Sequence, residues 1–435
     1  MPDYLQIIVS LVIFLTTFWI IITEKANRSV IAFFGAVIMW IVGIAFWFYS
    51  PQEVLHSVDF NTILLLLGMM IIVAELEKTG FLQYLAIKTA KKTHGNTWIL
   101  LVSLAWLTSV LSMFLDNVTT IILVVPVTLI ITRILKINPI PILMSEAILS
   151  NIAWVGTLIW DPPNILIGSA ANFWFNDFIF HSFPIVLISW LLILFFIKFS
   201  YQKELNNPQK WLKALQKMDA NKCIKNHIIL KKTLIVLVWV TILFFIHELL
   251  HLSASAVALL WASSLLLWVS PHKDPKSIFK KVELSVLVFF ASLFVLVWWI
   301  EAAWVLDFIV DNIVQHAQQN ILLTAIFILW FSAIVSAIID NIPMTVAMLP
   351  VIAMLQSKGI LWVEILWWAL ALWVWFGWNA SPIGSTAGVI VMWKAESNKT
   401  PISTKDWLKV WIPATLISLF VSTFILIIFS NYYMF

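Results

Sequence analysis

The sequence predicts an all-α polytopic membrane protein made of two related halves with broken helices. Three observations carry that reading. Of the 435 residues, 62% are hydrophobic and 11% charged, with a mean hydropathy of +0.99, whereas a soluble domain is about 25% charged. Apolar runs of about 20 residues, the length that crosses a bilayer as a helix, recur from end to end. Finally, Ser112-Met-Phe-Leu-Asp116-Asn117-Val-Thr119-Thr120 returns as Ser336-Ala-Ile-Ile-Asp340-Asn341-Ile-Pro343-Met344, and each copy is followed by a proline, Pro126 or Pro350. Ser112 to Ser336, Asp116 to Asp340 and Pro126 to Pro350 are each 224 residues apart. A charge inside a membrane segment is costly and usually faces a cavity, a partner or an ion. Its repetition in two halves points to a secondary transporter.

Taken in order, the run from Leu5 to Thr23 has no basic region before it and no small-residue cleavage site. It reads as a span rather than a signal peptide. A second span over 30–49 follows the polar Glu24–Arg28 link. The basic stretch 87–95, the lysine-rich segment 200–232, and Lys276, Lys280 and Lys281 are expected on the cytoplasmic side. Threading spans between these anchors puts the N-terminus outside, inverts one half relative to the other and gives about 11–13 membrane segments. The expected divisions are N-terminal helices at 1–57, a first repeat at 58–199, a loop and connecting spans (233–246 and 253–269) within 200–281, and a second repeat at 282–435. The net charge of +4 lies in loops and gives no reason to expect nucleic acid. The single cysteine, Cys223, excludes an internal disulfide.

The repeat extends beyond its opening motif. Val58-Asp59 matches Val282-Glu283, and Glu77 matches Glu301, again at 224. Asn151-Ile-Ala-Trp-Val-Gly156-Thr157 matches Asn379-Ala-Ser381-Pro-Ile-Gly384-Ser385 at 228. Amides, glycines and hydroxyls stand here where lipid would demand apolar helix. Unwound backbone at membrane depth is tolerated only inside protein or beside water. In the first half the motif runs on into Asp161-Pro162-Pro163-Asn164, whose prolines end a helix and leave carbonyls unpaired. Re-entrant hairpins are expected near 140–150 and 362–376.

Asp116 to Thr120, with Asn151 to Asn164, resembles the ion transporter superfamily of arsenite permeases, NhaD antiporters, the melanosomal P protein and citrate-type carriers. Asn379 to Ala387 is similar to its second-half signature. The resemblance spans about residues 20–430 and is specific for the superfamily, not for the substrate. It implies two bundles, each with a hairpin and a broken helix, meeting at a midplane site. That site would draw on Asn117, Thr119, Asn151, Thr157 and Asn164 from one half. Asn341, Asn379, Ser381 and Ser385 would supply the other.

The chemistry of these residue types suits a small ion. Asp116, Asp161 and Asp340 can each take a proton or ligate sodium, and competition for one oxygen is a physical basis for coupling. Amides and hydroxyls, Thr120 among them, would complete an oxygen cage with freed carbonyls. A helix-capping acid is the structural alternative for each Asp. Glu75, Glu77 and Glu301 are expected at interfaces. No Lys or Arg falls in the motifs, which favours a cation or a neutral metalloid over a di- or tricarboxylate. The expectation is a permease for a small ion or metalloid oxyanion, coupled to Na+ or H+, in a bacterial inner membrane. A Na+/H+ antiporter or carboxylate carrier of the same fold is the alternative. No cofactor beyond the coupling ion is expected, and the expected partners are lipid, the substrate and a second copy of the chain in a homodimer. One enzyme signal competes. His247-Glu248-Leu-Leu-His251 fits the His-Glu-x-x-His zinc pattern of intramembrane proteases, but the chain has no Asp-Gly dipeptide to supply their further ligand.

The tryptophans depart from the superfamily pattern. The chain has 26 Trp and 11 Gly, against an average glycine usage of about 7%. Trp19, Trp40 and Trp407 fit aromatic belts at the interfaces. Trp154, Trp160, Trp298, Trp299, Trp304, Trp373, Trp378, Trp393 and Trp411 fall in or around the repeat motifs, and Trp304 is in register with Gly80. Close backbone approach and positive φ favour glycine there, so the expectation is glycine in the organism, with UGA read as Gly. A Trp-rich variant with a narrowed site is the alternative.

Asp116→Asn and Asp340→Asn keep shape and remove the titratable charge. Both are expected to impair transport in proteoliposomes without loss of folding or insertion; normal transport with unchanged pH dependence would leave the acids a structural role.

Overall fold

The structure, a computed structural model, describes residues 4–22, 26–46, 50–94, 96–115, 117–158, 161–205, 216, 218–269, 271, 276–302, 310, 313–314, 316–336, 341–380 and 386–434. Among them are α1 (Tyr4–Ile22), α2 (Arg28–Ala45), α3 (Pro51–His56), α4 (Phe60–Lys78), α5 (Phe81–Lys92), α6 (Thr97–Phe114) and α7 (Asn117–Leu135). There follow α8 (Ile140–Trp154), α9 (Pro162–Ala171), α10 (Phe175–His181), α11 (Phe183–Ser200), α12 (Gln202–Leu205), α13 (His227–Ile246) and α14 (Ala254–Val269). The remainder are α15 (Lys276–Phe279), α16 (Leu284–Ala302), α17 (Ile321–Ser336), α18 (Asn341–Ser357), α19 (Glu364–Ala380), α20 (Thr386–Ser397) and α21 (Thr404–Ile428). No strand occurs among the described residues. Seven of these helices are long and apolar enough to cross a membrane, and shorter apolar helices accompany them.

Polar residues between the apolar runs start the helices. Asn27 accepts from the Ser29 and Val30 amides at α2, Asp59 from Asn61 and Thr62 at α4, and Asn96 from Ile99 at α6. Asn226 and Ser403 do the same for α13 and α21. Each cap satisfies donors that have no partner inside the helix. Pro126 and Pro350 lie inside α7 and α18, at matching places.

The repeat reappears as helix boundaries. α4, α6, α7, α8 and α9 begin at 60, 97, 117, 140 and 162, while α16, α17, α18, α19 and α20 begin at 284, 321, 341, 364 and 386, each 224 residues later. Packing follows the same exchange. α2 lies against α16 and α14 against α4; α7 meets α20 and α18 meets α9; α8 meets α20 and α19 meets α9. Within each half α6 runs along α8, and α17 along α19. Swapping the halves turns each of these contacts into its counterpart, as a two-fold relation requires. The helices that carry the polar motifs thus pack across the boundary between the halves.

Three expectations need correcting. The stretches near 140–150 and 362–376 are not hairpins but single helices, α8 and α19. Residues 140–154 contain no glycine, and Pro141 sits in the first turn, where proline is tolerated. The chain breaks earlier, between α6 and α7, where Leu115 is extended (φ −134°, ψ 157°). Glu75, near the end of α4, is buried and pairs with Lys78 one turn on at 2.7 Å. Trp407 is also buried, stacked 4.3 Å from Trp411, whereas Trp19 and Trp40 are exposed as expected. Crowding is absent at Trp393, which is exposed, whereas the Trp299 ring lies tight against Gly43, with one ring carbon at the place a Cβ would take.

Gly80 joins α4 to α5 in a left-handed conformation (φ +77°), and a Cβ there would run into the Cys223 carbonyl. The Lys225 amide donates to the Thr79 carbonyl at 2.9 Å beside it, docking the 218–225 segment on this corner. Gly80→Ala is expected to destabilise the protein by about 1–3 kcal/mol, read as a lower thermal unfolding temperature in detergent.

Candidate functional site

Asn117 is the first residue of α7 and is fully buried. Its Nδ2 donates to Asn151 Oδ1 on α8 at 2.5 Å. Its Oδ1 accepts from Ser112 on α6 at 3.4 Å and from Ser150 on α8. The Ser112 and Ser150 hydroxyls are themselves 2.6 Å apart. One amide thus ties three helix segments together at the chain break. Ser109 extends the cluster by donating to the Leu149 carbonyl at 3.0 Å and accepting from Trp190 Nε1 at 2.9 Å. Ser109 and Ser150 were not among the sequence candidates; a hydroxyl every few residues in an apolar helix is too common a signal to single them out.

The helix interruption between α8 and α9 is held by two of the expected residues. Thr157 Oγ1 donates to the Met113 carbonyl at 3.0 Å, and Asn164 Nδ2 donates to the Val155 carbonyl at 3.0 Å. These bonds satisfy carbonyls that a continuous helix would have used. Pro162 and Pro163 open α9, where their missing N–H groups cost nothing. Asp161 precedes them, fully buried and directed toward the Asn164 amide, without closing a capping hydrogen bond. Both Asp161 oxygens, Asn164 Oδ1 and the Thr120 hydroxyl are buried and have no hydrogen-bond partner among the described residues. An unsatisfied buried polar atom costs about 1–3 kcal/mol, so these oxygens contribute no stability of their own.

A cavity of about 90 Å³ reaches these segments. Met70, Val73 and Glu77 of α4, Thr119 of α7, Pro162 of α9, and Lys281 and Glu283 ahead of α16 line it. The Lys281 ammonium pairs with the Glu77 carboxylate at 2.7 Å, joining the two halves beside the cavity. Both side chains are about one-third exposed, so the pair adds little stability.

In the second half, Asn341 opens α18 as Asn117 opens α7, and it too is fully buried. Thr345 Oγ1 donates back to its carbonyl at 2.9 Å. Asp116, Trp160, Trp304, Asp340, Ser381 and Ser385 lie outside the described residues. Asn379 and Trp378 are described only as α19 backbone. The structure therefore brings together Asn117, Asn151, Thr157 and Asn164, and places Asp161, Thr119 and Thr120 on the segments that adjoin them.

One buried acid was missed. Glu146, in the middle of α8, is fully buried and accepts from Thr128 Oγ1 of α7 at 2.6 Å. The signal was present, since Ser145-Glu146 interrupts an apolar run. The zinc pattern does not have its required geometry. α13 ends at Ile246, residues 247–251 form a turn, and His251 has a left-handed φ of 52°. His247 Nδ1 is bonded to the Leu252 carbonyl at 2.8 Å. The two imidazoles are not one helical turn apart on a common face.

Comparison with known proteins agrees with this geometry. The citrate transporter family model matches residues 18–373. The chain belongs to the citrate transporter family. It is 34% identical over 422 residues to a 46 kDa membrane protein of Mycobacterium leprae, covering 95% of this chain and 96% of that one. An uncharacterized transporter of Mycobacterium tuberculosis is 34% identical over 421 residues, with the same coverage of each chain. The human P protein is 27% identical over 493 residues, covering 95% of this chain and 59% of the longer relative. Among solved structures, the YdaH transporter of Alcanivorax borkumensis superposes with a TM-score of 0.61 at 12% identity, over 90% of this chain and 89% of that one. That likeness establishes the fold. This member of the citrate transporter family is a multi-pass membrane transporter, and its place in the ion transporter superfamily agrees with the motif resemblance.

Asn117→Ala would leave Ser112, Ser150 and Asn151 without their shared partner. It is expected to lower stability by about 1–3 kcal/mol, measured by thermal unfolding in detergent, and to abolish transport.

Proposed function

We propose that the protein is a secondary active transporter that moves a small ion or metalloid oxyanion through the interface between its two halves, coupled to Na+ or H+. The observation that carries this reading is the interrupted α8–α9 helix, whose buried oxygens at Asp161, Asn164 and Thr120 have no protein partner. Such a site offers acceptor oxygens and freed backbone to a cation, and helix N-termini at α7, α9 and α18 to an anion. The exchange relation between the halves supports alternating access, in which one half rocks against the other. Inverted halves, a cytoplasmic position for the Lys281–Glu77 pair and a bacterial inner-membrane location belong to the same reading.

A carboxylate carrier is the second reading, favoured by the family match. Against it, the described segments around the helix break contain no Lys or Arg to bind several carboxylates.

A counterflow screen in proteoliposomes with arsenite, sodium, citrate, succinate and chloride separates these readings. The expected outcome is exchange of one small ion or metalloid that responds to an imposed sodium or proton gradient. Citrate or succinate exchange would establish the second reading, and flux indifferent to both gradients would refute coupling.

A further inference from the structure

We propose that Glu146 is a proton-binding site of the transport cycle, separate from the interrupted α8–α9 site. The inference rests on the proposed transport function and names the coupling ion. Glu146 is fully buried in α8, and among the described residues its only side-chain partner is the Thr128 hydroxyl at 2.6 Å, while Oε2 has none. Moving a bare carboxylate from water into such a setting costs far more than one hydroxyl hydrogen bond returns. The group therefore holds a proton or a cation. A metal ion would need a shell of oxygens, whereas Thr128 is the one side-chain oxygen bonded to Glu146 among the described residues. One carboxyl and one hydroxyl suffice only for a proton.

Among the described residues no counter-charge faces the site. α6 has no titratable side chain. Arg133 of α7 is turned outward to Asn398 at 2.7 Å. Lys198 of α11, Glu364 of α19, Lys394 and Glu396 of α20, and Lys405, Asp406 and Lys409 of α21 all lie toward helix ends.

The sister half argues against a merely structural bond. Thr128 corresponds to Ile352 at the 224 spacing, and Glu146 to Leu370 at that spacing or Val374 at 228. Ile352 and Leu370 are fully buried, and α18 packs on α19 as α7 packs on α8. The fold thus makes the same helix contact with apolar residues. An acid kept in one copy alone has a task the packing does not set.

The test uses the full chain in liposomes. Infrared spectra across pH are expected to show a neutral-carboxyl C=O band that titrates in the wild type and is lost in Glu146→Gln. The double variant Glu146→Leu with Thr128→Ile reproduces the sister pair and is expected to insert with wild-type yield, also without the band. With the substrate found by counterflow, Glu146→Gln is expected to lose acceleration by an imposed pH gradient. A band unchanged in Glu146→Gln, or pH-driven flux at the wild-type rate, would overturn the proposal while leaving the transporter reading intact. If no substrate exchanges, the transporter reading fails and the infrared arm alone decides proton binding.

A second inference stands on different observations. The indole N–H groups of Trp367, Trp368, Trp373, Trp407 and Trp411 are buried and find no acceptor, although indole N–H groups are normally bonded when buried. Trp304 falls in register with Gly80, which is left-handed and tight against Cys223. We infer that Trp304, Trp373 and Trp411 are glycine in the protein made by its own cell, through UGA decoded as Gly. Peptide masses from protein purified from the source organism test this. Glycine at all three positions is the expected result, and tryptophan at any one of them would overturn the inference.

Discussion

Everything in this fold follows from one constraint: a helix broken inside a bilayer must find partners for its freed polar groups within the protein. The break between α8 and α9 exposes backbone that neither lipid nor a continuous helix can satisfy. Thr157 and Asn164 cap two carbonyls from within the same half. Asn117 fastens the neighbouring chain break through Ser112, Ser150 and Asn151. Enclosure then comes from the other half, because α20 covers α7 and α8 while α18 and α19 cover α9. The first half alone would leave its broken helix facing lipid.

The same constraint separates structural polar groups from functional ones. Interhelical hydrogen bonds in membranes are worth roughly 0.6–2 kcal/mol, enough to fix the register of α6, α7 and α8. Satisfied groups such as Asn117 and Asn151 make the frame. The oxygens of Asp161, Asn164 and Thr120 have no partner among the described residues and add no stability; their chain neighbours Thr119 and Pro162 line a small cavity. Glu146 belongs with them by burial, but its hydroxyl partner and its absence from the sister half set it apart. An oxygen-rich helix break and a solitary acid are different chemical tools. A coupled transporter needs both a substrate site and a second ion to drive it.

The duplicated architecture also explains why the halves interlock instead of standing side by side. The α1–α2 pair precedes the first half, but α2 lies against α16; the α13–α14 pair precedes the second, but α14 lies against α4. Each half is clasped by the helices that introduce the other. The Glu77–Lys281 pair adds a polar contact across the same boundary. Being partly exposed, the pair contributes little stability to that boundary.

What the sequence determined by itself was everything local. Apolar run length, caps such as Asn96 and Asp59, prolines such as Pro162 and the 224-residue spacing are properties of short windows, and the helix starts follow them almost residue for residue. The roles of Asn117, Asn151, Thr157 and Asn164 as a polar group at a chain break were legible for the same reason. The tertiary structure decided what depends on distant partners. Only packing showed that 140–154 is one straight helix, that Trp407 is buried on Trp411, and that Gly43 makes room for Trp299. Likewise the zinc-like pattern could be read as a helical metal site until α13 was seen to end at Ile246. Glu146 shows the limit most clearly: its charge was visible in the sequence, but its isolation comes from the helices around α8, whose positions no local window contains.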